Sequence, residues 1–283
     1  MQRLLAGLVL FSLTCGPCAF AQDRGIAATS DFPTNGYLPL PPHFQPRRAN
    51  AADNVNVAPP PLPSYAQPAI PEEGYLWIPG FWAWREAVPD YFWVPGTWVR
   101  PPHRGLLWTP AYWSRGDGGY FFHPGYWAEQ VGFYGGIDYG YGYGGDGYLG
   151  GRWENGTLYY NRATNNLGSS SASHVYDRAI PADDNSMRIS FNGGRRGTTA
   201  RPTPQQEQLA KERHIEPTAE QRQHFEMAAK DRALYSKLNR GEPGLAATSH
   251  PSEFEGAGIT RSSRSSDDDV QSRGVVTTGA NMK

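Results

Sequence analysis

The chain has 283 residues, 13% of them aromatic, and a formal net charge of −1. Acids and bases are interspersed, which excludes the basic footprint of a nucleic-acid-binding surface. Its two cysteines, Cys15 and Cys18, lie close to the N-terminus, which excludes a disulfide framework further along the chain.

Arg3, the apolar run Leu4 to Leu13 and the site Ala19-Phe20-Ala21 form the pattern of a secretory leader cut before Gln22. The run is too short to span a bilayer, and no second long apolar segment follows. The expectation is therefore an exported chain of the periplasm or outer envelope, without a transmembrane segment in its mature part. Both cysteines fall inside the leader (1–21), and neither follows the small residue that lipid attachment needs. Stability must come from packing alone.

Residues 22–73 are rich in proline, alanine and asparagine, with Pro59-Pro60-Pro61-Leu62-Pro63 at their centre. Such a run favours polyproline II and cannot join a sheet interior. It reads as a disordered, semi-rigid linker.

A repeated aromatic phrase then begins. Its copies are Trp77-Ile78-Pro79-Gly80-Phe81-Trp82, Trp93-Val94-Pro95-Gly96-Thr97-Trp98, Trp108-Thr109-Pro110-Ala111-Tyr112-Trp113 and Phe122-His123-Pro124-Gly125-Tyr126-Trp127. Near-constant spacing marks repeated supersecondary units. Alternating aromatics such as Tyr75-x-Trp77 predict strands, and Gly/Pro/Asp-rich breaks separate the copies. The expected fold is mainly β: a small antiparallel meander of about five to six aromatic-rich strands over 74–161, one strand to a copy.

The Pro-Gly pair inside each copy predicts a one-residue bulge, because proline removes a ladder donor and glycine in a strand often marks a bulge. A bulge would bring Trp77 and Trp82 to one face, likewise Trp93 with Trp98 and Trp108 with Trp113. Two alternatives stay open: aromatics on both faces, or two short strands joined at Pro-Gly. In this reading Gly80, Gly96 and Gly125 are structural. So are Asn155 and Gly156, the type I′ turn of a hairpin between Gly151-Arg152-Trp153-Glu154 and Thr157-Leu158-Tyr159-Tyr160.

The glycine–tyrosine stretch 132–147 reads as a flexible loop, with self-association as the alternative. Residues 162–202 read as a linker with one short strand near Met187 to Phe191. A two-helix segment over 203–241 follows. Thr203 with Gln206 and Thr218 with Gln221 each form a capping box, and the second helix is expected to run to Arg240 before Gly241. Its thin apolar stripe predicts loose docking. Residues 242–283 read as a disordered tail, so long disordered arms flank the β module.

The phrase W-x-P-G-x-W preceded by Y-x-W, after a leader, resembles the WXXGXW (YXWGXW) repeat family of bacterial envelope proteins, sometimes labelled BcpO-related. The residues that carry the resemblance are Tyr75 to Trp82, Tyr91 to Trp98, Trp108 to Trp113 and Phe122 to Trp127. Ala111 stands where glycine is expected and Phe122 where tryptophan is expected. The resemblance implies an exported protein with a small aromatic β-domain, and no catalytic residue or cofactor.

The residues themselves point the same way. The seven histidines are scattered, no metal-ligand spacing occurs, and no nucleophile motif is present. No enzyme activity, metal or cofactor is expected. Two roles for the aromatics remain. They are a core, or one row (Trp77, Trp82, Trp93, Trp98, Trp108, Trp113, Trp127, Trp153) forms an exposed face that stacks on sugar rings of cell-wall or extracellular polysaccharide. The first gives a non-catalytic structural or interaction protein of the cell envelope, partnered by another envelope protein or itself. The second gives a carbohydrate-binding module for peptidoglycan or exopolysaccharide.

Overall fold

Each Pro-Gly pair divides its copy into two short strands. In the computed structural model, which describes residues 55–169, 172–180 and 188–263, copy one contributes β1 (Leu76–Ile78) and β2 (Phe81–Arg85), and copy two contributes β3 (Asp90–Val94) and β4 (Gly96–Val99). β2 and β3 form a hairpin, and β1 pairs antiparallel with β4 beyond the break. Ile78 stands opposite Thr97 and Phe81 opposite Val94, so equal lengths of chain cross the break and no residue is inserted. The expected bulge is absent. Two prolines without donors face each other's glycines, the ladder loses its bonds there, and the ribbon bends.

Copies three and four repeat the arrangement. β5 (Leu107–Thr109), β6 (Tyr112–Gly116), β7 (Gly119–His123) and β8 (Tyr126–Ala128) pair as β6 with β7 and β5 with β8, again in continuous register. The structural unit is thus a broken hairpin made of two copies. The expected single strand per copy gives way to this because Pro-Gly opposes Pro-Gly in the first ribbon and Pro110-Ala111 opposes Pro124-Gly125 in the second.

The glycine–tyrosine stretch is ordered, against expectation. β9 (Asp138–Gly140) and β10 (Tyr143–Gly144) pair, and Tyr134, Tyr139 and Tyr143 are buried. Their hydroxyls donate to the carbonyls of Gly147, Ala111 and Trp108. Tyrosine supplies the volume, and glycine lets the chain approach itself. Gly142 has φ +93°, and a Cβ there would meet the Gly150 nitrogen at 2.3 Å. β11 (Gly151–Glu154) and β12 (Thr157–Asn161) form the expected hairpin, with Asn155 and Gly156 at φ 49° and 75°.

Later segments add to these ribbons as two-residue strands. β13 (Val175–Tyr176) runs parallel to β12, and β14 (Phe191–Asn192) runs parallel to β6. Met187, expected in that strand, lies outside the described residues. α1 (Pro204–Leu209) and α2 (Ala219–Lys230) both carry their capping boxes. α2 ends earlier than expected, at Asp231, and a 3₁₀ turn leads to α3 (Ser236–Asn239). Asp90 on β3 holds α3 in place: its carboxylate accepts from the Ser236 hydroxyl at 2.6 Å and the Lys237 amide at 3.1 Å. β15 (Ala247–Thr248) then joins β4 in parallel, and β16 (Ile259–Thr260) pairs with β15. Residues 242–263, expected as a tail, therefore complete a four-stranded sheet. Residues 1–54 and 264–283 lie outside the described residues. Among the described residues no helix is long and apolar enough to cross a membrane.

The stretch 55–73 is not a linker. Val55, Leu62 and Ile70 are buried, and Val55 pairs with Tyr120 through two backbone hydrogen bonds. Nor is α2 loosely docked. Phe225 is buried, stacks on Phe81 and meets Phe92 edge-on at 5.3 Å. Its thin stripe suffices because both neighbours are aromatic. Phe225→Ala should destabilise by about 3–4 kcal/mol and lower one cooperative melting transition. A helix that melted separately from the sheet in calorimetry would contradict the docking.

Candidate functional site

The tryptophans meet across the ribbons in non-random pairs. Trp77 is opposite Trp98, Trp82 opposite Trp93, Trp108 opposite Trp127 and Trp113 opposite Phe122. The three tryptophan pairs are edge-to-face, with centroids 5.4, 5.2 and 5.2 Å apart. That geometry sets the positive edge of one ring on the negative face of the other.

The first aromatic of copies one, two and three also leans diagonally over the glycine of its partner copy. A Cβ on Gly80 would lie 2.3 Å from Cζ2 of Trp93, one on Gly96 2.6 Å from Cζ2 of Trp77, and one on Gly125 2.4 Å from Cζ2 of Trp108. None of these glycines has a positive φ. They are required because an indole lies on them, and the bulge explanation falls. The two departures from the phrase become one. Ala111 is the residue over which the ring at 122 would lean, and that ring is Phe122, which lacks the outer atoms of an indole. A smaller ring accommodates the methyl group.

The sequence-derived binding face is not a face. Trp77, Trp82, Trp93, Trp98, Trp108, Trp113 and Trp127 are all at most 4% exposed. Trp153 is half-buried on β11 and donates to the Leu106 carbonyl. The rows close because both sides of each ribbon are covered by the chain's own segments, which the indoles hold by their N–H groups. Trp82 donates to the Pro61 carbonyl at 3.1 Å, Trp98 to Pro68 at 2.9 Å, Trp93 to Ala246 at 2.9 Å and Trp113 to Trp82 at 2.8 Å. Trp127 donates to Oε1 of Gln221, the same amide oxygen that caps α2 by accepting from the Thr218 backbone. Trp77 Nε1 is buried without a partner among the described residues.

Sequence reasoning missed the polar side chains that lock this arrangement. His224 on α2 donates from Nε2 to the Pro95 carbonyl at 2.8 Å and accepts at Nδ1 from the Ser252 amide at 2.8 Å. It ties the helix to the ribbon break and to the segment after β15. Burial pushes its pKa down to about 4, so the ring is neutral. His123 stacks on Tyr112 at 4.2 Å, contacts the Ser114 hydroxyl at 2.8 Å, and is likewise pushed down to about 4 by burial. The only available signal was the position of His224 on the apolar side of α2, next to Phe225. A small apolar cavity lies between the two ribbons and α2, lined in part by Phe81, Ala111, Phe122 and Phe225. Among the described residues no group of three or more His, Cys, Asp or Glu side chains is placed to hold a metal.

The WXXGXW repeat model, built from two copies of the phrase, matches residues 74–99, 89–104 and 104–128. Residues 74–128 thus carry the WXXGXW repeat. The first and last matches coincide with the two broken hairpins, the pairs of copies that fold together. No curated protein and no solved structure matches the chain.

Gly80→Ala should cost at least about 2 kcal/mol, because ring and backbone both obstruct the methyl group. In the second ribbon Phe122→Trp should destabilise alone and be rescued by Ala111→Gly, with a coupling of about 2 kcal/mol in a double-mutant cycle. Additive effects in urea unfolding would refute the ring-over-glycine account.

Acid should weaken the fold in a defined window. The folded pKa of His224 and His123 lies below the unfolded value of about 6.5, so the unfolded state binds protons first. Their contribution is fully present above about pH 6.5 and is lost as pH falls toward 4. Melting temperature should drop across that range. His224→Gln should start lower at pH 7.5 and show a flatter slope. An unchanged slope in this variant would remove His224 from the account.

Proposed function

We propose that this protein is a non-catalytic structural or interaction protein of the bacterial cell envelope, with the WXXGXW repeats as its folded contact module. The observation that carries this reading is the use of the aromatic groups. Seven of the tryptophans are buried, and the indole N–H groups of Trp82, Trp93, Trp98 and Trp127 bind other segments of the same chain. Such groups build and close a surface; they do not offer an open stacking platform to a sugar. The histidines with depressed pKa also have structural partners: both nitrogens of His224 are engaged. Placement in the envelope is supported by Arg3, the run Leu4 to Leu13 and Ala19-Phe20-Ala21.

The carbohydrate-binding reading needs indole faces in contact with solvent. Acrylamide should therefore quench the tryptophan fluorescence of the purified protein only weakly. Adding soluble peptidoglycan fragments or chitin oligosaccharides should leave intensity and emission maximum unchanged. Strong quenching that glycans relieve would overturn the structural reading and restore the sugar-binding one.

A further inference from the structure

We propose that the aromatic groove of the repeat domain is a receptor for extended, proline-rich peptide segments, and that residues 55–70 occupy it in cis. The chain itself shows the recognition chemistry. Carbonyls at 57, 61, 65 and 68 each accept from an aromatic side chain: Val57 from the Tyr91 hydroxyl at 2.7 Å, Pro61 from the Trp82 indole at 3.1 Å, Tyr65 from the Tyr141 hydroxyl and Pro68 from the Trp98 indole at 2.9 Å. A carbonyl is thus read every three or four residues. An extended chain that, among the described residues, forms β-bridges to other backbone only at Val55 and around Tyr65 leaves its remaining carbonyls open to side-chain donors in that way, and prolines favour the conformation at little entropic cost. Aromatic-lined grooves that take proline-rich segments use the same physics.

The segment turns one side to the ribbons and the other to solvent, and Leu62 and Ile70 join the hydrophobic cluster that the ribbon tryptophans form. Pro59, Leu62, Pro63, Gln67, Pro68 and Ile70 are buried, whereas Ala58, Pro61, Ser64, Ala66 and Ala69 are exposed. From Ala58 to Ala69 exposure thus recurs about every third residue, the period of a polyproline II helix. Five of its sixteen residues are prolines without an amide donor, and Val55 N bonds the Tyr120 carbonyl, Leu62 N the Arg188 carbonyl and Ile70 N the Asn166 carbonyl. Specificity for a partner would come from apolar side chains at the positions of Leu62 and Ile70 and from prolines between them. The tether through the turn at 72–74 gives the cis segment a high effective concentration. A partner segment enters when the cis segment is drawn away.

This inference rests on the interaction-protein reading and names the partner class. A protease site inserted between Pro71 and Glu72, next to the exposed turn, allows the folded full chain to be cut there. The cut protein should keep its near-UV circular dichroism. A labelled synthetic peptide of residues 55–70 should exchange into it saturably, and a scrambled peptide of the same composition should not. Trp82→Phe in the cut protein should weaken peptide binding about five- to tenfold, the equivalent of one lost hydrogen bond. Unfolding on cutting, failure of the peptide to exchange, or equal binding of the scrambled peptide would overturn the receptor proposal alone. Displacement of bound peptide by chitin oligosaccharides would overturn the interaction-protein reading beneath it.

Discussion

The contact on which the rest of the fold depends is an indole ring lying on a glycine in the neighbouring copy. Trp77 covers Gly96, Trp93 covers Gly80 and Trp108 covers Gly125. This contact explains why the phrase keeps glycine three residues after the first aromatic and a second aromatic two residues later. The second aromatic is the cross-strand partner of the ring that leans on the glycine. The proline before the glycine leaves the ladder without a donor, so the ribbon can bend there. A single copy would have an uncovered ring and an uncovered glycine, and two copies satisfy each other. The repeat therefore folds in pairs.

Burying so many large rings without a disulfide creates a hydrogen-bonding problem. Indole N–H and phenol O–H groups are carried into the core and need acceptors. The chain meets this chiefly with carbonyls between strands, and with a few on the strands themselves. Pro61, Pro68, Ala246, Gly147, Ala111 and Trp108 each turn a carbonyl toward a ring. Each such bond is worth about 0.5–1.5 kcal/mol net, yet leaving the donor unpaired would cost more. The polar tips of the core thus select which parts of the irregular chain are ordered. Burial holds the phenols of Tyr139 and Tyr143 well above their ordinary pKa, so they remain donors.

Local signals were legible and tertiary ones were not. Asn155-Gly156, Thr203 with Gln206 and Thr218 with Gln221 act within a few residues, and each forms the element read from it. The division into mainly antiparallel strands was legible from the aromatic alternation. The bulge, read from proline and glycine inside a strand, was a misreading because both strands are interrupted at the same level, as in the alternative of two short strands joined at Pro-Gly. Here the two faces of each ribbon are buried by different partners. The glycine–tyrosine stretch and the proline-rich stretch were misread for a common reason. Composition shows that a segment cannot form its own core or join a sheet interior. It does not show that another segment carries donors aimed at that segment's carbonyls.

The same logic accounts for the placement of the polar residues of α2. Gln221 caps its own helix and accepts from Trp127, while His224 bonds Pro95 at the ribbon break and Ser252 beyond β15. One helix thereby joins the second ribbon, the first ribbon and the C-terminal sheet strands through two side chains one turn apart. Phe225, packed on Phe81 and Phe92 of the first ribbon, supplies the apolar area that makes these directional bonds worth forming. The folded module is consequently a set of aromatic ribbons that capture irregular segments by reading carbonyls. A surface built to capture its own chain in this manner has the chemistry to capture another chain of the same kind.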